Sequence, residues 1–128
     1  MSNYQFDHIH LNSPDPLKTA QFYETMFGAR RVATGQIDVG TVVWLDLHGQ
    51  TLLITPPIGR PPLKLGAVQP QYGLVHFGLR TDNIEKAVDD LKAKGVTFVQ
   101  DITPLTPGTS KIAYLLAPEG VFIELQQN

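Results

Sequence analysis

Polar and apolar positions alternate through "YQFDHIHLN", residues 4–12, and then change period in "DPLKTAQFYETMFG", residues 15–28. Alternation predicts a strand, and apolar residues three and four apart predict an amphipathic helix. Pro16 sits just inside the start of that helix and Gly28 just past its end, with Leu17, Ala20, Phe22, Tyr23 and Phe27 as its apolar stripe. Period two then returns in "RRVATGQIDV", "TVVWLDLHG" and "QTLLITPP", which predict three further strands. The same succession recurs later as "GLVHFGLRT", "DNIEKAVDDLKAKG", "VTFVQDITPL", "SKIAYLLAP" and "GVFIELQQ". In the second helix Asp82 or Asn83 is the cap, Ile84, Ala87, Val88 and Leu91 form the stripe, and Lys94 precedes Gly95.

The two halves match residue by residue as well as in order. Asp15 pairs with Asp82, Ala20 with Ala87, Gly28 with Gly95 and Val32 with Val99, all at an offset of 67. The strand ahead of each helix, "HIHL" against "HFGL", matches at an offset of 68. The expectation is an α+β fold of two βαβββ modules, module 1 over about residues 1–57 and module 2 over about 73–128, together one domain. The segment 56–73 holds five of the ten prolines, so residues of about 58–72 read as a connection without regular structure.

Composition narrows the chemistry. At 128 residues the chain is long enough to bury a core, and its charged fraction of 17% is that of an ordinary globular protein. The net charge of −2 and the absence of basic runs argue against a nucleic-acid partner. With no cysteine, neither disulfides nor thiolate ligands are available, and any metal must be held by nitrogen and oxygen. No apolar run approaches the ~18–20 residues that span a bilayer, and "MSNYQFDHIH" has no signal-peptide pattern. A cytoplasmic, membrane-free protein is the expectation.

Strand alternation sorts the polar residues by face. His8, His10 and Asn12 share one face of the first strand; His76, Gly78 and Arg80 share one in its repeat; Phe122, Glu124 and Gln126 share one in the last strand. The opposite faces are apolar and suited to a covering helix. If the polar faces line the inside of a curved sheet, His8, His76 and Glu124 meet in one hollow. Two imidazoles and a carboxylate can hold a divalent ion and leave positions open for substrate. Against this stands the ordinary reading, in which a strand histidine is a satisfied surface or core residue. The repeat tips the balance, because His8 and His76 fall at the same place in duplicated modules.

These segments resemble the vicinal oxygen chelate superfamily, which includes glyoxalase I, extradiol dioxygenases, fosfomycin-resistance proteins and methylmalonyl-CoA epimerase. "DHIHLNSPDPLKTAQFYETMFG" is similar to the family's opening strand and helix, "VHFGLRTDNIEKAVDDLKAKGV" to its repeat, and "APEGVFIEL" to its ending. The resemblance implies two modules forming a curved mixed sheet around a metal-binding cleft, with ligands at His8, His76 and Glu124. It also implies a small-molecule substrate and a homodimer. A fourth family ligand falls at Leu53, because Gly49 matches Gly120 at an offset of 71, and leucine cannot bind metal. His10 is the residue placed to substitute.

Among family members the second half most resembles the epimerases, whose catalytic Glu has Asp38 in its place here. The reading that follows is a metal-dependent isomerase, epimerase or lyase. It would act through a metal-stabilised enolate on a carbonyl or acyl-thioester substrate, with Co, Ni, Zn, Mn or Fe as the ion. Glu124, Asp38 and His10 are the candidate proton-transfer groups, and Arg80, Trp44 and Tyr114 the candidate substrate-binding residues. The alternatives are an extradiol-type dioxygenase, with His10 or His48 as acid–base group, and a resistance-type binding protein without turnover.

Overall fold

The structure, a computed structural model, describes residues 3, 5–57, 74–105 and 108–128. The connection expected at about 58–72 lies outside the described residues. The chain divides into two compact units, Met1–Lys64 and Leu65–Asn128.

Module 1 runs β1 (His8–Asn12), α1 (Pro16–Phe27), β2 (Arg30–Ile37), β3 (Gly40–Leu47) and β4 (Gln50–Thr55). Its sheet has the order β1-β4-β3-β2, with β1 parallel to β4 and the other pairs antiparallel. Module 2 runs β5 (Phe77–Arg80), α2 (Ile84–Ala93), β6 (Thr97–Pro104), β7 (Lys111–Leu116) and β8 (Phe122–Gln127). Its order is β5-β8-β7-β6, again with only the first pair parallel. The fold is therefore α+β, two mixed four-stranded sheets each with one long helix. The opening strand of each module is shorter than alternation alone suggested. β1 begins at His8, which pairs with Thr51 near the start of β4, and His76 stands one residue ahead of β5.

Local chemistry explains the boundaries. Asp15 caps α1 by accepting from the Lys18 amide, and Gly28 closes it at φ 70°. Of the two caps considered for α2, Asn83 is the one, accepting from the Lys86 amide. The Ser13 hydroxyl, buried, accepts from the Asp15 amide and bonds Thr19 Oγ1 at 2.7 Å, which anchors the start of α1 to the end of β1. The β3–β4 turn places His48 and Gly49 at φ 51° and 95°, the paired positive values that tight hairpins need.

Each helix covers one face of its own sheet. In module 1, Ala20 and Tyr23 are fully buried with Val43, Leu45, Leu52 and Ile54; in module 2, Ile84 is fully buried with Ala113, Leu115 and Ile123. Fully burying one such aliphatic side chain contributes ~1.5–3 kcal/mol, so the helix-covered faces hold the modules together. The opposite face of each sheet is left for the polar residues.

Candidate functional site

Strand register decides which polar residues meet. In module 2, β5 and β8 pair Gly78 with Glu124, and β7 pairs Tyr114 with Glu124. The Glu124 carboxylate thus stands between Tyr114 and the end of β5, where His76 Nε2 donates to its Oε2 at 2.7 Å. Tyr114 Oη donates to the same oxygen at 3.4 Å. The His76 and Glu124 side chains are 24% and 15% exposed, so the pair is shielded yet reachable. Burial, then the Glu124 charge and hydrogen bond, push the Tyr114 phenol above its ordinary pKa.

Beside this pair lies a cavity of about 320 Å³ lined by Val75, His76, Val99, Gln100, Tyr114 and Phe122. The rings stack at its wall, with His76 and Tyr114 edge-to-face at 5.0 Å and Tyr114 and Phe122 tilted at 6.5 Å. Of these, the sequence points to only His76 and Tyr114 as site residues. Val99 and Gln100 are consecutive, and strict alternation would send them to opposite faces. A register shift between Phe98 and Gln100 explains their joint presence. A bulge of this kind re-aims a side chain, and nothing in the residue types announces it.

In module 1, His8, His10 and Asn12 do share a face, set opposite Thr51, Leu53 and Thr55 of β4. Asp7 accepts from His8 Nδ1 at 2.6 Å. A carboxylate on one ring nitrogen holds the imidazole with the other nitrogen as its lone-pair end, the usual support for a metal ligand. His10 Nε2 lies 2.7 Å from Thr55 Oγ1, and that hydroxyl donates its proton to the Pro56 carbonyl at 2.8 Å. Thr55 therefore accepts from His10, which places the His10 proton on Nε2 and leaves Nδ1 bare. Partial burial, and after it the charge of His8, lower the His10 pKa. Asp7 and Thr55 carried no sequence signal beyond being polar neighbours.

The remaining candidates are dispersed. Asp38 is exposed in the β2–β3 turn. Trp44 is 36% exposed, opposite Leu53, with its indole over Gly35, where an added Cβ would meet the ring at 3.4 Å. Arg80 is exposed at the end of β5, paired with Gln126. His48 Nε2 donates to the Phe27 carbonyl at 2.6 Å, a structural bond that closes the end of α1. Register also identifies the partner of the missing ligand. Leu53 lies opposite His10 as Glu124 lies opposite Gly78, so Leu53 is the counterpart of Glu124.

The donor chemistry of module 2 suits a divalent ion. An imidazole nitrogen and a carboxylate oxygen 2.7 Å apart are close to the ~3 Å separating neighbouring donors with ~2.1 Å bonds at right angles. His76 Nδ1 is buried and has no hydrogen-bond partner among the described residues. Among the described residues no three histidine, aspartate or glutamate side chains form a group that could hold a metal ion.

Comparison with known proteins agrees with this architecture. A model of the Glyoxalase/Bleomycin resistance protein/Dioxygenase superfamily matches residues 5–125. The chain is 28% identical to a "Probable lactoylglutathione lyase" of Vibrio parahaemolyticus, over all of this chain and 94% of that protein. It is likewise 28% identical to the mitochondrial methylmalonyl-CoA epimerase of Homo sapiens, over 96% of this chain and 73% of that one. Among solved structures, a glyoxalase family protein from Enterococcus faecalis superimposes with a TM-score of 0.80. That likeness has 19% identity and covers 99% of this chain and 100% of that one. No helix among the described residues is long and apolar enough to cross a membrane.

Proposed function

The chain belongs to the glyoxalase/bleomycin resistance protein/dioxygenase superfamily, and from that premise we propose a divalent-metal-dependent isomerase, epimerase or lyase working through an enolate. Its substrate is a small carbonyl or acyl-thioester compound. The observation that carries this reading is the His76–Glu124 pair, 2.7 Å apart, with His76 on the wall of a cavity. The relatives named for lyase and epimerase activity support the same reaction class.

In this reading His76, Glu124 and His8 would hold the ion, with Asp7 fixing the His8 ring. A divalent ion (Co, Ni, Zn, Mn or Fe), when bound, supplies Lewis-acid stabilisation of developing oxyanion charge. His10 takes the proton from carbon: Thr55 keeps its Nε2 protonated, and the lowered pKa keeps the ring neutral and ready to accept at Nδ1. Asp38 and Glu124 are the other carboxylates to test in that role. Tyr114 and Trp44 shape the walls, and Arg80 pairs with an anionic part of the substrate. Residues 1–128 act as one domain, and the working unit is a homodimer in the cytoplasm.

Hydrogen exchange tests the proposal. The full chain, loaded with Co(II) or Ni(II) in D₂O, is expected to exchange the α-hydrogen of methylmalonyl-CoA or S-lactoylglutathione, followed by proton NMR. His76→Ala is expected to exchange neither. Stoichiometric metal with no exchange in either thioester would contradict enolate chemistry and leave binding without turnover.

A further inference from the structure

The module 2 cavity has a chemical character narrower than the reaction class requires. Among the described residues its lining contains no Lys, Arg, Asp or Glu. Val75 and Val99 stand 45% and 47% exposed, apolar surface left open to a ligand. A charged group entering such a lining loses water without gaining an opposite charge from the described residues. At about 320 Å³ the space is at the small end of the ~300–1,000 Å³ typical of ligand sites, enough for one ring or a branched alkyl group.

Its polar groups are already assigned, save His76 Nδ1, which is buried without a partner among the described residues, and one more. His76 and Tyr114 both bond Glu124. Gln100 Nε2 donates to Thr103 Oγ1 at 3.3 Å, and Thr103 donates its single proton to the Asp101 carbonyl at 2.8 Å. Thr103 can therefore only accept from Gln100, which fixes the amide with its NH₂ toward Thr103. Oε1 is left as the end of the amide that can serve a ligand, and it is an acceptor. The bulge at Val99 that brings Gln100 to this wall is repeated in module 1 at Val32, but there the residue in the place of Gln100 is Ala33. The polar group is thus a property of module 2 and not of the repeat.

We infer that this cavity selects an uncharged aryl or branched alkyl group carrying one hydrogen-bond donor, a hydroxyl or N–H, which Gln100 Oε1 accepts. This rests on the cavity being the substrate site of the reaction proposed above. Gln100 is its specificity-determining residue, and Thr103 is a positioning residue that keeps the amide in its accepting orientation.

The probes are p-cresol and 4-methylanisole, which share a ring and differ by the donor, titrated into the full chain and followed by amide NMR. Both are expected to shift Tyr114 and Phe122, with p-cresol binding ~2–10-fold tighter, the worth of one hydrogen bond. Gln100→Leu removes that preference while retaining binding of the ring, and Thr103→Val weakens the preference by freeing the amide to turn. Gln100 is exposed on strand β6, so its substitution leaves the core intact, which the same spectra report. Shifts confined to residues elsewhere, or an undiminished p-cresol preference in Gln100→Leu, would overturn the inference. Loss of thioester exchange with this preference intact would instead overturn the reaction and spare the cavity.

Discussion

The two modules share one ladder and carry different chemistry on it. Where module 2 sets Gly78 against Glu124, module 1 sets His10 against Leu53; where module 2 pairs Gln100 with Tyr114, module 1 pairs Ala33 with Trp44. The helix-covered faces keep the same kind of residue throughout, as in Leu45 and Leu115, both fully buried. Because strand side chains alternate, one face can be held to packing while the other is free to change. The local chemistry differs accordingly: module 2 has the adjacent His76–Glu124 pair and a cavity, and module 1 has His8 bonded to Asp7 and His10 bonded to Thr55.

The comparison can be broken most violently through the faces the modules share. Leu45→Ala and Leu115→Ala occupy equivalent core positions, and each is expected to cost about 2–5 kcal/mol in urea unfolding. A large loss for one and none for the other would show that the repeat is not an energetic one. A smaller effect sharpens the role of module 1. Asp7→Asn, which weakens the support of the His8 ring, should lower metal affinity by ~10–100-fold, the usual penalty for losing an outer partner. Unchanged affinity would detach His8 from the metal.

Smaller again are the helix caps, where the modules should behave alike. Asp15→Ala and Asn83→Ala each remove an acceptor of an otherwise unpaired helix amide, and each should cost about 1 kcal/mol in thermal or urea unfolding. The least effect belongs to the exposed bond from Lys111 to Glu85, which ties β7 to α2 at 2.6 Å. The bond from Lys111 lowers the Glu85 pKa below its ordinary 4.5. A depressed carboxyl pKa means the unfolded chain binds more protons between the two values, so the contribution is present above about 4.5 and fades as pH falls through the folded value. Glu85→Gln should lower stability slightly at neutral pH, with the difference from wild type vanishing as pH falls through the folded value.

Much of this was legible in the residues. The change of period at Asp15 and again at Asn83 marks both helices, and Pro16 and Gly28 mark the ends of α1. The period-two runs mark each later strand to within a few residues. The His76–Glu124 pair follows from alternation and the repeat, and Leu53 as the counterpart of Glu124 follows from the matched glycines. What escaped depends on three-dimensional register. The bulge at Val99 breaks alternation without an unusual residue, so Gln100 could not be assigned a face. The bonds from His10 to Thr55 and from His8 to Asp7 arise from common polar residues whose partners are fixed only by the ladder and by rotamer. His48 illustrates the converse: its residue type suggested proton transfer, and its ring instead closes α1.

The central claim is that module 2 holds the metal through Glu124 while His10 serves another purpose. Calorimetric titration of Ni(II) into the metal-free full chain tests it directly, using wild type, Glu124→Gln and His10→Gln. Gln keeps the size of Glu124 and removes its charge, so affinity should fall by more than the ~100-fold that bounds the loss of an outer partner. His10→Gln should bind Ni(II) as wild type does. Wild-type affinity in Glu124→Gln, or its collapse in His10→Gln, would contradict the account and move the metal to the other module.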